Sequence, residues 1–200
     1  MAAGAAIVLL LGAAAGAWYW HDAQQRRAGT AYADVMTRVW AAQGPQGAPD
    51  LRAQAQQDLE RVMAQYPSAS GVAEAALELG NLRYAAQQYA QARGAYEVAV
   101  ARASSPTVRT LARTSIGYTW EAERDFAKAI DAYQSVARAL GPKDFLWEQA
   151  HFDLARAQEL GGKRTEAAAT YQKILKDAVA TPRADDARRE LTRLGAKPEK

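Results

Sequence analysis

A small residue followed four positions later by tyrosine, and seven and eight positions later by apolar residues, recurs three times along this 200-residue chain. The three cases are Ala92 with Tyr96, Ala99 and Val100; Ala129 with Tyr133, Val136 and Ala137; and Ala167 with Tyr171, Ile174 and Leu175. Such offsets place the side chains on one face of a helix. Ala92 to Ala129 is 37 residues and Ala129 to Ala167 is 38, the length of a helix pair with its connections. Gly80, Gly117 and Ala155 recur at the same steps, inside a preceding helix whose first copy carries Ala73, Ala76, Leu77, Gly80 and Tyr84. Small residues there let two helices approach closely. Helix pairs of this kind bury their apolar stripes by stacking on one another.

Breakers separate the pairs: Tyr66-Pro67-Ser68, Ser105-Pro106, Gly141-Pro142 and Thr181-Pro182. Ser105 and Thr181 read as N-caps with proline at the first helical position, where its fixed φ suits the helix and its missing N–H has no partner to lose. Alanine, leucine, glutamine, arginine and glutamate dominate, and these lose least on entering a helix. The fold class expected is all-α: an N-terminal transmembrane helix, then a superhelix of helical hairpins, then a C-terminal capping helix. The cap is read over Pro182 to Leu194, with Ala184, Ala187, Leu191 and Leu194 on one side, Asp185 and Asp186 in the first turn, and Arg193 in the last.

Leu79-Gly80-Asn81, Tyr89, Ala92, Tyr96 and Ala99 together resemble a tetratricopeptide repeat (TPR). Ile116-Gly117, Phe126, Ala129 and Tyr133 match again, as do Leu154-Ala155, Gly162, Ala167 and Tyr171. The repeats are degenerate: they exceed the usual length of about 34 residues, and Arg83 stands where an aromatic is usual. About Thr30 to Pro67 reads as a further divergent pair, with Leu59, Val62, Met63 and Tyr66 as its stripe and residues 44–49 as its loop. The expected organisation is an anchor over 1–20, a linker helix and divergent pair over 21–67, three repeats and the cap over 68–194, and a flexible tail over 195–200.

Residues 1–20 carry no charged side chain, contain Ile7 to Leu11, and end in Trp18, Tyr19 and Trp20. A helix of that length is about 30 Å long, enough to cross a bilayer, and such aromatics suit a membrane boundary. A single-pass membrane anchor is expected. A signal peptide cleaved after Ala17, or a buried helix, are the alternatives. Basic residues follow the segment at Arg26 and Arg27, which by charge alone would place the main domain in the cytoplasm.

The chain carries 25 Lys and Arg against 22 Asp and Glu, a net charge of +3, interleaved rather than clustered. No nucleic-acid partner is expected. With no cysteine, thiolate metal sites, disulfides and cysteine nucleophiles are excluded. His21 and His151 have no second ligand at metal spacing and are read as packing residues. Asp185 with Asp186, and Glu121 with Glu123, are read as solvated faces rather than acid–base pairs. No catalytic residue, metal or cofactor is expected, and the chain is expected not to be an enzyme.

The TPR resemblance implies a groove built from the first helix of each pair. Carried over residue by residue, that groove is Glu74, Asn81 and Tyr84, then Tyr118 and Glu121, then Phe152 and Arg156, suited to a protein or peptide. Packing between helices is the competing reading of Tyr84, Tyr118 and Phe152. The layout also resembles the YfgM-like ancillary subunits of the bacterial Sec translocon. That resemblance implies an adaptor in the inner membrane with a periplasmic TPR domain, partnered by SecYEG and PpiD-like chaperones, with oligomerisation open. The alternative is a secreted TPR protein organising cell-envelope machinery.

Overall fold

A computed structural model describes the backbone of residues 2–43, 48–177 and 183–196, and the side chains within them except at 2–11, 13 and 43. The described elements are α1 (Ala2–Gln43), α2 (Pro49–Gln65), α3 (Val72–Ala85), α4 (Tyr89–Arg102), α5 (Pro106–Ala122), α6 (Phe126–Ala139), α7 (Trp147–Leu160), α8 (Arg164–Asp177) and α9 (Ala184–Arg193). Each helix packs on the next in sequence, and first helices of neighbouring pairs also meet, α1 with α3 and α3 with α5. The result is a stack of antiparallel hairpins.

The stripes become the core. Tyr32, Val35 and Val39 of α1 pack with Leu59 and Val62 of α2 and with Leu79 and Leu82 of α3. Further along, Ala76, Ala92, Tyr96, Ala99 and Ala112 form the next layer, and Tyr133, Val136, Ala150 and Leu154 the one after. Trp147, Phe152, Tyr171, Ile174, Ala187 and Leu191 close the far end, so α9 caps the last pair with its one apolar face. Burying one large apolar side chain contributes about 1.5–3 kcal/mol. Tyr96, Tyr133 and Trp147, each essentially inaccessible, therefore anchor successive layers.

Local chemistry sets the helix limits. Pro106 opens α5, and the Ser105 hydroxyl accepts from Val108 N at 3.4 Å, as the cap reading expects. The first helix of each repeat ends the same way: the amide N–H five residues on donates back to a carbonyl of the last turn, in Gln88 to Arg83, Asp125 to Trp120 and Lys163 to Gln158. This closure needs a left-handed residue, supplied by Gln87 (φ 61), Arg124 (φ 62) and Gly162 (φ 78). Helix α9 ends identically, Ala196 donating to Leu191 around Gly195 (φ 78). It is therefore built like the first helix of a further pair.

The anchor expectation is corrected. Among the described residues, no helix is long and apolar enough to cross a membrane. Past residue 13, α1 offers only Ala14, Ala15, Gly16 and Ala17 before Trp18, Tyr19 and Trp20, and polar residues begin directly with His21 and Asp22. Small residues and interfacial aromatics partition weakly into hydrocarbon. The side chains of Ile7 to Leu11 lie outside the described residues. The second half of α1 instead packs into the hairpin stack through Ala28, Tyr32, Val35, Val39 and Ala42. The transmembrane helix, the membrane as a partner, and the single-pass inner-membrane location fall together with that anchor. Thr181-Pro182 and the loop residues 44–47 also lie outside the described residues.

Candidate functional site

Of the carried-over groove residues, helices α5 and α7 bring Tyr118, Glu121 and Arg156 together. Arg156 of α7 donates from Nε and Nη2 to the two carboxylate oxygens of Glu121 on α5, at 2.9 and 3.0 Å. Its Nη1 pairs with Asp153 Oδ1 at 2.8 Å. Tyr118 of α5 donates its hydroxyl to Asp153 Oδ2 at 2.8 Å, and Gln149 Nε2 donates to Oδ1 at 3.0 Å. Asp153 is fully buried, and these bonds satisfy it.

The second helices join the same network. Tyr133 of α6 donates to Glu121 Oε2 at 3.0 Å, so one carboxylate ties its own hairpin to the next. Glu159 repeats the arrangement: Tyr171 donates to it at 2.9 Å, and Arg193 of the capping helix pairs with it. In the first repeat the pattern changes. Tyr96 donates to Asn81 Oδ1 at 3.0 Å, and Tyr84 takes the place corresponding to Glu121. Tyr84 packs its ring at 5.4 Å from Tyr89 and remains exposed, as does Glu74 one helical face along.

Electrostatics follow this geometry. Burial raises the Tyr118 and Tyr133 hydroxyls above the usual phenol range, and the neighbouring carboxylates add to it. Tyr84 is raised by burial, with Tyr89 and Glu121 adding and Arg156 opposing, which places it in the field of the α5–α7 network. Burial works against the Arg156 charge, but its hydrogen bonds to Glu121 and the charges of Asp153 and Glu121 together more than offset this and hold the guanidinium protonated.

Each expected site residue therefore has a defined place. Phe152 is buried, with the Arg183 guanidinium 3.8 Å above its ring and Tyr171 edge-on at 5.7 Å, so packing accounts for it. Tyr118 is half-buried and committed to Asp153. Glu74, Asn81 and Tyr84 keep accessible surface. Trp18, Tyr19 and Trp20 are exposed on α1, and among the described residues no helix is long and apolar enough to cross a membrane.

Of Glu121 and Glu123, only Glu123 is exposed as expected. Glu121 sits in the network and Glu123 pairs with Arg93 at 2.6 Å. His151 is buried, its Nδ1 2.9 Å from Trp147 O and its ring 4.1 Å from the Trp147 ring. Burial lowers its pKa. His21, by contrast, is exposed rather than packed. Asp153 and Gln149 are network residues that sequence reasoning missed. A charged residue directly between Phe152 and the apolar pair Leu154-Ala155 is the available signal. Among the described residues, no group of three or more histidine or acidic side chains could hold a metal ion.

These hairpins, with their capped ends and matching registers, define an all-α architecture of the TPR-repeat type. A family model described as Tetratricopeptide repeat matches residues 149–178, which run from the first turn of α7 to the end of α8. No curated protein matches the chain. TPR-repeat proteins are generally non-catalytic scaffolds.

Proposed function

We propose that this chain is a non-catalytic TPR-like scaffold whose face on α3, α5 and α7 binds a segment of another protein, with residues 68–194 as the binding module. The carrying observation is the contrast along that face. At its α7 end Tyr118, Glu121, Asp153 and Arg156 satisfy one another, whereas at its α3 end Glu74 and Tyr84 are exposed on the helix that carries Asn81, which is bonded to Tyr96 and Glu78. An exposed tyrosine and an exposed carboxylate on one helix offer a bound segment both apolar area and hydrogen-bonding groups. Docking there requires no disruption of the network, which links α5, α6 and α7. We therefore assign contact to Glu74, Asn81 and Tyr84, and positioning to Tyr118, Glu121, Phe152 and Arg156.

The association with SecYEG and PpiD-like chaperones drew on a membrane-anchored layout and is not part of this proposal. The alternative, a secreted TPR protein organising cell-envelope machinery, needs no membrane anchor and is compatible with the hairpin architecture described. A photo-crosslinking residue at position 84 tests the binding face. A discrete crosslinked partner, lost when Glu74→Lys is added, is the expected result. Equal crosslinking from position 84 and from Val98 on α4 would show that the face of α3 has no special role.

A further inference from the structure

We propose a second docking site, on the other side of α5 from Tyr118 and Glu121, that takes an acidic–aliphatic segment of a partner protein. Two clefts adjoin there. One, of about 300 Å³, lies between α4 and α6 over α5 and has an apolar floor that includes Val100, Ile116 and Ala132. The other, of about 530 Å³, is polar and is lined by Arg113, Gln134, Ser135, Arg138 and Asp131. Arg113 and Ser135 line both, so the two are continuous.

The charges of this surface are uncommitted. Most arginines of the described stack are held by a carboxylate, as Arg83, Arg93, Arg156 and Arg193 are. Arg113 and Arg138 have no such partner among the described residues. Arg138 gains from its place in the last turn of α6, where a cation offsets the helix dipole, but Arg113 is mid-helix, half-buried and unpaired. A half-buried guanidinium without an acceptor recovers a charge-assisted hydrogen bond when a carboxylate arrives.

With two arginines against Asp131, the polar cleft favours an anion. Glu97, on the rim of the apolar cleft, disfavours one there. Charge complementarity thus fixes the direction of the occupant: an aliphatic side chain over Ile116, and an Asp or Glu side chain reaching Arg113 and Arg138. This site needs no contact with Glu74 or Tyr84, so it stands independently of the face on α3.

The test is selection of a random peptide display library on the full chain, with counter-selection on the Arg113→Glu, Arg138→Glu double variant. The expected enrichment is of internal sequences pairing Leu, Ile or Val with Asp or Glu. A synthetic peptide of the enriched sequence should lose at least about tenfold in affinity on the double variant, as removal of a charged anchor does. It should keep its affinity on Glu74→Lys. Should the double variant lose helicity, Arg113→Gln with Arg138→Gln replaces it and the same loss is expected. Enriched peptides that are basic, that bind only through a free C-terminus, or that bind the double variant equally well would overturn the assignment, as would no enrichment at all.

Discussion

Glu121 accepts from the Tyr133 hydroxyl at 3.0 Å and from Arg156 at 2.9 and 3.0 Å, so a single carboxylate joins α5, α6 and α7. Glu159 does the same for α7, α8 and α9 through Tyr171 and Arg193. The stack is thus tied from one hairpin to the next by a polar contact as well as by its apolar layers. Glu121→Ala leaves Tyr133, which is buried, without its acceptor. Arg156 keeps Asp153, and its partial exposure screens the lost charge. We expect a loss of about 1–2 kcal/mol in urea unfolding. Glu121→Ala combined with Arg156→Ala should cost less than the two singles added, because both remove one contact.

Gly80 and Gly117 sit under the rings of Tyr96 and Tyr133. A Cβ at either would lie 2.3 Å from the ring Cε1, and both rings are buried with no room to swing away. Gly→Ala in a helix ordinarily stabilises by about 1 kcal/mol, but overpacking costs about 1–3 kcal/mol. We expect Gly80→Ala and Gly117→Ala to lower the melting temperature, and Gly94→Ala, which meets open space on α4, to raise it. A rise at all three sites in a thermal melt would refute the close-packing argument.

How much of this was readable beforehand depends on whether the signal was local. The helix faces, the glycine and alanine at steps of 37 and 38, and the Ser105-Pro106 cap all declare themselves within a turn or two of sequence, and the structure has them. The partners of Glu121 do not: Arg156 is 35 positions away, and nothing within α5 separates a bracketed carboxylate from a solvated one. For the same reason Asp153 reads as an anomaly in its helix until Tyr118 is placed against it. The N-terminal segment misleads because its length, its aliphatic block and its boundary aromatics fit a membrane span, while its described part before those aromatics is alanine and glycine, which partition weakly into hydrocarbon.

Gln87 and Arg124 are not legible in the sequence as turn residues, because the left-handed turn they occupy is usually marked by glycine, as it is at Gly162. A non-glycine residue with φ near 60° is strained by its Cβ, at a cost of about 1 kcal/mol. Gln87→Gly and Arg124→Gly should therefore each stabilise the chain by about 0.5–1 kcal/mol. Gly162→Ala should destabilise it by a similar amount. Chemical denaturation of the three variants checks this, and destabilisation by Arg124→Gly would mean that its side chain contributes more than its backbone costs.

Tyr32 and Tyr96 are pushed up to about 12 by burial, from 10.0 in an open chain, and Tyr118, Tyr133 and Tyr171 are raised as well. Above pH 10 the unfolded chain releases phenol protons that the folded chain retains. The tyrosine contribution to stability is therefore complete below pH 10 and is lost as pH rises towards 12 and beyond. Removing one such hydroxyl should make that decline shallower by at most about 1.4 kcal/mol per pH unit. Tyr96→Phe is the test, since its ring stays in place over Gly80 while the hydroxyl bond to Asn81 is lost. On the acid side the sign reverses for His151, whose pKa burial holds below 6.5. The unfolded chain binds that proton first, so stability should fall as pH drops below 6.5, and His151→Gln should remove that part of the acid-side slope, leaving the part that Asp125 and Asp177, both lowered by their lysine partners, add at lower pH. Equilibrium unfolding at a series of pH values reads both arms. A flat profile between pH 10 and 12 would contradict the burial of the tyrosine hydroxyls on which the hairpin packing rests.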